Sequence, residues 1–230
     1  MEKLNTPVPE AVLFDAYGTL FDVYSVGLLA VQLYPGRGDA LALLWRDKQI
    51  EYTRLASMSG HYRPFWDLTR AGLRYAVLRL GLQPDSASED QLMNQYRHLS
   101  AFPENREVLE GLRQRGIRAG ILSNGDPEML AVALRSAGLA DLIDPVLSAD
   151  TVHRFKTDAA VYQLGPDALG LPARKILFVS SNGWDALGAT WFGYTTLWIN
   201  RAGLPPEQLD PAPTRTARNL RDVLACFPAA

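Results

Sequence analysis

Cysteine is almost missing from this chain: Cys226 stands alone among 230 residues. An internal disulfide is therefore excluded, which fits a reducing compartment. With no obvious basic partner nearby, Cys226 reads as a packed thiol rather than a nucleophile. Excess positive charge is missing too, since the formal net charge is −2, so no basic field argues for nucleic acid. An anionic substrate has to be drawn in by local Arg or Lys. No apolar run reaches the ~18 residues a membrane span needs. The first ten residues lack the long apolar block of a signal peptide, and the chain is read as cytoplasmic, with no membrane partner. No repeat or low-complexity segment interrupts it.

What is present is an ordinary globular composition, 47% hydrophobic, enough for one compact unit or a core with an inserted cap. Ala11-Val12-Leu13-Phe14 carries no polar residue to face water and reads as a short buried strand. It ends at Asp15, and Gly18 then allows a sharp turn. An Asp after a strand is often only a cap or turn former. Ligands, however, sit beyond the carboxyl ends of strands in parallel sheets, and that makes Asp15 a candidate for chemistry.

Residues 1 to 9 read as a loose lead-in. From Val23 to about Ser100 the pattern is helical throughout. One helix around Leu28–Leu33 is stopped by Pro35-Gly36, and others cover Ala40–Met58, Phe65–Gly81 and Asp90–Leu99. After Phe102-Pro103 helices and strands alternate. Strands are expected at Ile117–Leu122, Leu142–Leu147, Lys175–Ser181 and Tyr194–Ile199. Helices are expected to Gly116, over Glu128–Ala137, Asp158–Leu169 and Trp184–Trp191, and last over Ala217–Leu224. Alternation of this kind implies right-handed crossovers and a parallel sheet. The expected architecture is an α/β, Rossmann-like core built from residues 1–21 and 101–230, with an all-α cap over 22–100 inserted after the first strand. The cleft between them is the expected site.

Several core strands end in polar groups: Asp15, then Ser123-Asn124, then Ser180-Ser181-Asn182. Lys156 precedes one helix, and Asp185 opens another just beyond a strand. A fixed cation lowers the cost of grouping carboxylates. Two carboxylates with different surroundings divide labour, one as nucleophile and one steering water. As plain structure, Lys156 would flank a helix and Asp185 would meet a helix dipole.

The stretch Asp15-Ala16-Tyr17-Gly18-Thr19-Leu20-Phe21-Asp22 resembles the first motif of the haloacid dehalogenase superfamily. Phosphatases of that superfamily carry a second Asp where Tyr17 stands. Leu44-Trp45-Arg46-Asp47-Lys48-Gln49-Ile50-Glu51-Tyr52-Thr53 is similar to a cap helix of the L-2-haloacid dehalogenases, and Phe155-Lys156-Thr157-Asp158 resembles the Lys motif. The resemblance implies hydrolysis of short L-2-haloalkanoic acids to D-2-hydroxy acids, with no metal or other cofactor. It makes Asp15 the nucleophile, positioned and charge-balanced by Thr19, Ser180 and Lys156. Arg46 and Asn124 would meet the departing halide. Ser123 and the backbone at Ala16 and Tyr17 would hold the substrate carboxylate. Tyr162, Asn182 and Asp185 would assist ester hydrolysis, and Tyr17, Ile50, Phe65 and Trp184 would line the pocket. It also favours a homodimer; Leu41, Leu44 and Trp45 suit either the cap's own core or a dimer seam.

Two positions depart from the family pattern: Asp47, often a neutral Gln, beside Arg46, and Gly183, otherwise Ala, before Trp184. His61, His98 and His153 match none of these roles and read as surface or cap residues. The alternatives are a magnesium-dependent phosphatase of the same fold and a non-catalytic binding module.

Overall fold

The computed structural model describes residues 8–227; the part of the expected lead-in before Val8 lies outside them. Six strands form one parallel sheet in the order β3-β2-β1-β4-β5-β6. The central strand β1 (Ala11–Phe14) is buried along its whole length. It pairs on one side with β2 (Arg118–Ser123) and on the other with β4 (Ile176–Ser180). The outer strands are β3 (Val146–Ser148), β5 (Thr195–Ile199) and β6 (Arg215–Ala217). A strand covered on both faces has no reason to alternate polar and apolar residues, which is why Ala11–Phe14 and Ile176–Val179 are continuous apolar runs.

Four helices follow β1: α1 (Gly27–Leu33), α2 (Gly38–Ser59), α3 (Phe65–Arg79) and α4 (Ser86–Arg97). Leu41, Trp45, Gln49, Thr53 and Ala56 of α2 are buried, as are Phe65, Leu68, Gly72 and Ala76 of α3. Spaced at three, four and seven, each set forms one stripe, and the stripes face each other. Leu41 and Trp45 therefore serve the chain's own core, and Leu44 packs against it half-buried. Asp85 caps α4 by accepting from the amides of Ala87 and Ser88, so that helix starts four residues before the expected Asp90.

The remaining helices alternate with strands: α5 (Asn105–Gln114), α6 (Pro127–Ser136), α7 (Ala159–Leu169) and α8 (Gly183–Phe192). Two expectations fail. Leu142–Leu147 is not one strand: a 3-10 turn spans Ala140–Leu142, and β3 starts only after Pro145, which has no N–H for a ladder. Ala217–Leu224 is not a helix. Ala217 closes the edge strand β6, and Asn219 caps a 3-10 helix over Leu220–Cys226 by accepting from Arg221 N.

The strand order reverses between β1 and β4. A crevice opens at such a switch point, beyond the carboxyl ends of the strands, where Asp15 and Ser180-Ser181-Asn182 lie side by side.

Candidate active site

Asp15 does not cap a helix. Its carboxylate is buried and takes three hydrogen bonds. Lys156 Nζ donates to Oδ1 at 2.9 Å, Thr19 Oγ1 to Oδ2 at 3.0 Å and Asn182 Nδ2 to Oδ2 at 2.8 Å. A carboxylate has about four lone-pair positions, so Oδ1 keeps one of its two free. Thr19 is in turn fixed by the amide of Ser181, which donates to its hydroxyl at 2.8 Å. Asn182 stands at the N-cap position of α8, yet its side chain makes no capping bond; it turns to Asp15 instead.

Lys156 is 1% exposed and also lies 2.9 Å from Oδ2 of Asp185. Burial alone would pull the ammonium pKa down, but the two carboxylates outweigh it and hold the pKa above the ordinary lysine value. Asp185, fully buried, is pushed up to about 6, chiefly by desolvation and opposed by Lys156. Tyr162 donates to its other oxygen at 2.8 Å. Burial keeps the phenols of Tyr17 and Tyr162 neutral, well above the usual tyrosine range. The centre thus joins two carboxylates through one cation, with a free lone pair on the first and a raised pKa on the second.

Arg46 reaches in from α2. Its Nη2 donates to the carbonyl of Tyr17 and to Oδ1 of Asn182, both at 3.2 Å. The neighbouring Asp47 is exposed and forms no ion pair with it, because successive helical residues point about 100° apart. An open cleft of about 910 Å3 runs up to this guanidinium, with Ile50, Trp184, Gly18 and Asn182 on its walls. Arg54 lies over the Trp184 ring at 5.3 Å. Tyr17 and Phe65 are buried, their rings 5.6 Å apart. The departure at Gly183 is mild: an added Cβ would come nearest the flexible tip of Glu207, at 3.2 Å, and would touch the Trp198 ring at an ordinary 3.7 Å.

Three sequence candidates stand one step back from Asp15. Ser180 accepts from Asn182 N at 3.1 Å and shapes the turn that carries Asn182. Asn124 accepts from Lys156 N at 2.9 Å, so its oxygen is committed to the lysine's backbone, while its NH2 donates to nothing among the described residues. Ser123 accepts from Gly125 N at 3.1 Å, and its hydroxyl donates to nothing among the described residues. The amides of Ala16 and Tyr17 donate to nothing among the described residues. The three histidines take no part in these contacts; His153 stacks on Tyr62, and Tyr62 donates to Asp150. Sequence reading missed Gln49, Thr69 and Tyr96, buried polar groups that lie behind Arg46. The signal was present in the i, i+3 spacing of Arg46 and Gln49.

No helix among the described residues is long and apolar enough to cross a membrane. Comparison with known proteins agrees with this geometry. An (S)-2-haloacid dehalogenase of Pseudomonas sp. (strain YL) is 42% identical over 221 residues, 96% of this chain and 95% of that protein. The crystal structure of an L-2-haloacid dehalogenase superposes with a TM-score of 0.94 at 57% identity, covering 95% of this chain and 98% of that one. The dehalogenase of Xanthobacter autotrophicus with chloropropionic acid covalently bound superposes at 0.88 and 35% identity, over 94% and 97%. The family of haloacid dehalogenase-like hydrolases matches over residues 9–193, and the chain belongs to it.

Proposed function

We propose that this chain hydrolyses short L-2-haloalkanoic acids to D-2-hydroxyalkanoic acids through an ester on Asp15. One observation carries the reading: a buried Asp15 with a free lone pair on Oδ1, fixed by Lys156, Thr19 and Asn182, lies near Arg46, a cation on the cleft wall that pairs with no carboxylate among the described residues.

The free Oδ1 lone pair attacks C2 from the side opposite the halogen. The carbon–halogen bond breaks, and the halide leaves toward Arg46 and the free NH2 of Asn124, fixed donors that stabilise developing charge. Ser123 and the amides of Ala16 and Tyr17 take the substrate carboxylate. Water then attacks the ester carbonyl of Asp15 and gives one proton to Asp185, which Lys156 and Tyr162 hold in place. Collapse expels the C2 oxygen, which recovers that proton as the hydroxyl of product. Asp15 is left as an acid that releases its own proton to solvent. Only the first step touches C2, so configuration inverts once.

The phosphatase reading is weaker at position 17. Tyr17 supplies no carboxylate, and its ring is stacked against Tyr96 at 5.8 Å. A non-catalytic module does not account for a buried Lys156 tied to two carboxylates. The helical stretch 22–100 is proposed as a cap on a core of 1–21 and 101–230. A cytoplasmic homodimer goes with this reading. Leu43, Leu55 and Met58 of α2 are exposed apolar residues, and sedimentation equilibrium tests the dimer.

A single turnover in heavy-oxygen water tests the mechanism. The label is expected in the Asp15 carboxylate and not in product. Label in the first-turnover product would sink the ester route.

A further inference from the structure

Behind Arg46 the polar groups form one directed chain. Arg46 Nη1 donates to Oε1 of Gln49 at 2.7 Å, and Tyr96 Oη donates to the same oxygen at 3.1 Å. Gln49 Nε2 donates to Thr69 Oγ1 at 2.6 Å, and Thr69 gives its own proton to the carbonyl of Phe65 at 2.7 Å. Gln49 and Thr69 are fully buried and Tyr96 nearly so, so none can exchange its partner for water.

The direction of the chain is forced. A hydroxyl has one proton, and Thr69 spends it on its own helix, so Thr69 can only accept from Gln49. That turns the amide nitrogen of Gln49 toward Thr69 and its oxygen toward Arg46. Arginine has no acceptor, so the reversed amide would set N–H against N–H in a buried site. On its far side Arg46 donates again, and a second set of bonds runs outward from it through Asn182 to Asp15. Tyr96 ties the chain to the pocket wall, since its ring stacks on Tyr17 with 17° between the planes.

We infer that Gln49, held in one amide orientation by Thr69, is a positioning residue that aims the Arg46 guanidinium at the departing halide. The inference rests on the haloacid reading above and adds to it the source of Arg46's aim. A guanidinium on a long flexible stem loses much rotamer freedom when fixed. Fixing it in advance, outside the chemical step, is what lets it act on charge that develops only there. Gln49 does so without a carboxylate, which would neutralise the cation.

The test has two readouts on Gln49→Leu, Gln49→Glu, Thr69→Val and Thr69→Ser. The first is chloride binding to the resting protein, followed by the line-broadening of chloride NMR and competed by bromide. The second is kcat and KM for 2-chloro-, 2-bromo- and 2-iodopropionate. Loss of such a supporting group costs about 10- to 100-fold. Gln49→Leu and Thr69→Val are expected to weaken chloride binding by that order. They should also lower kcat most for chloride, the poorest leaving group, and least for iodide, with KM less affected. Gln49→Glu should fold and still bind chloride poorly, because its carboxylate pairs with Arg46. Thr69→Ser should restore both properties. Chloride binding unchanged in Gln49→Leu and Thr69→Val, or kcat lowered by one common factor for all three halides, overturns the inference. If wild type binds chloride, the variants do not, and no haloacid is turned over, the positioning role stands and the dehalogenase reading falls.

Discussion

Tyr162 donates its phenolic proton to Oδ1 of Asp185 across 2.8 Å, and neither group reaches solvent. The bond favours the charged form of Asp185 and holds its pKa down against the stronger effect of burial, which pushes it up to about 6. Asp185 works as a base only when ionised, so the hydrolytic step should rise with pH through this value. Removing the Tyr162 hydroxyl takes away a bond to the carboxylate, which raises the Asp185 pKa further. Tyr162→Phe is expected to move the acid limb of the kcat profile to higher pH. A pH–rate profile whose acid limb stays in place would show that Tyr162 does not act through Asp185.

In the proposed mechanism Asp185 acts on water, not on C2. Asp185→Asn should leave the attack of Asp15 intact and slow ester hydrolysis by about 100- to 10,000-fold, the usual contribution of a general base. The ester then accumulates. Intact-protein mass spectrometry after incubation with L-2-chloropropionate should show one added 1-carboxyethyl group, held as an ester and absent from Asp15→Asn. A variant that stays unmodified while losing activity would move Asp185 into the first step.

Lys156 has a second effect, on stability. Without it two buried carboxylates face each other unpaired, and breaking a buried ion pair this way costs about 3–5 kcal/mol. Lys156→Met is expected to unfold at correspondingly lower urea at neutral pH. The sign of its pH dependence follows from Asp185, whose folded pKa already stands near 6, above the ordinary aspartate value, and which must rise further once the cation is gone. A raised carboxyl pKa contributes stability that is present at low pH and lost as pH rises through the folded value. The variant should therefore approach wild type in acid and fall away above about pH 6. A deficit constant from pH 5 to 8 would contradict this.

The sheet was legible because β1 and β4 are buried on both faces and so are written as unbroken apolar runs. The position of the buried carboxylate was legible because Asp15, like Ser123 and Ser180, stands at the carboxyl end of a core strand. The failures have local causes. Leu142-Ile143 is as apolar as a strand, yet Leu142 closes a 3-10 turn and the β3 register with β2 runs only from Val146, and Arg215-Thr216-Ala217 is polar because an edge strand needs no apolar face. The groups behind Arg46 were not legible as a network. Gln49, Thr69 and Tyr96 come from three helices, and only folding brings them together. Asp47 misled for the opposite reason, since adjacency in sequence on a helix separates side chains rather than pairing them.

The seat of Tyr162 depends on a defect in its own helix. Pro166 lies inside α7 and has no N–H to give the carbonyl four residues back, which is that of Tyr162. Tyr194 fills the vacancy, its hydroxyl donating to Tyr162 O at 2.6 Å. Gly165 keeps the approach open, because a Cβ there would lie 2.1 Å from Tyr194 Oη and 2.6 Å from Leu13 Cδ1. Tyr194→Phe leaves a buried carbonyl unpaired, at a cost of about 1–3 kcal/mol. Pro166→Ala restores the missing amide, so in that background the same Tyr194→Phe change should cost much less. The two residues are coupled through one shared acceptor, and a double-mutant cycle by urea denaturation should return a clear interaction energy. Additive effects would mean that Tyr194 stabilises the chain by packing alone and that α7 closes around Pro166 by other means.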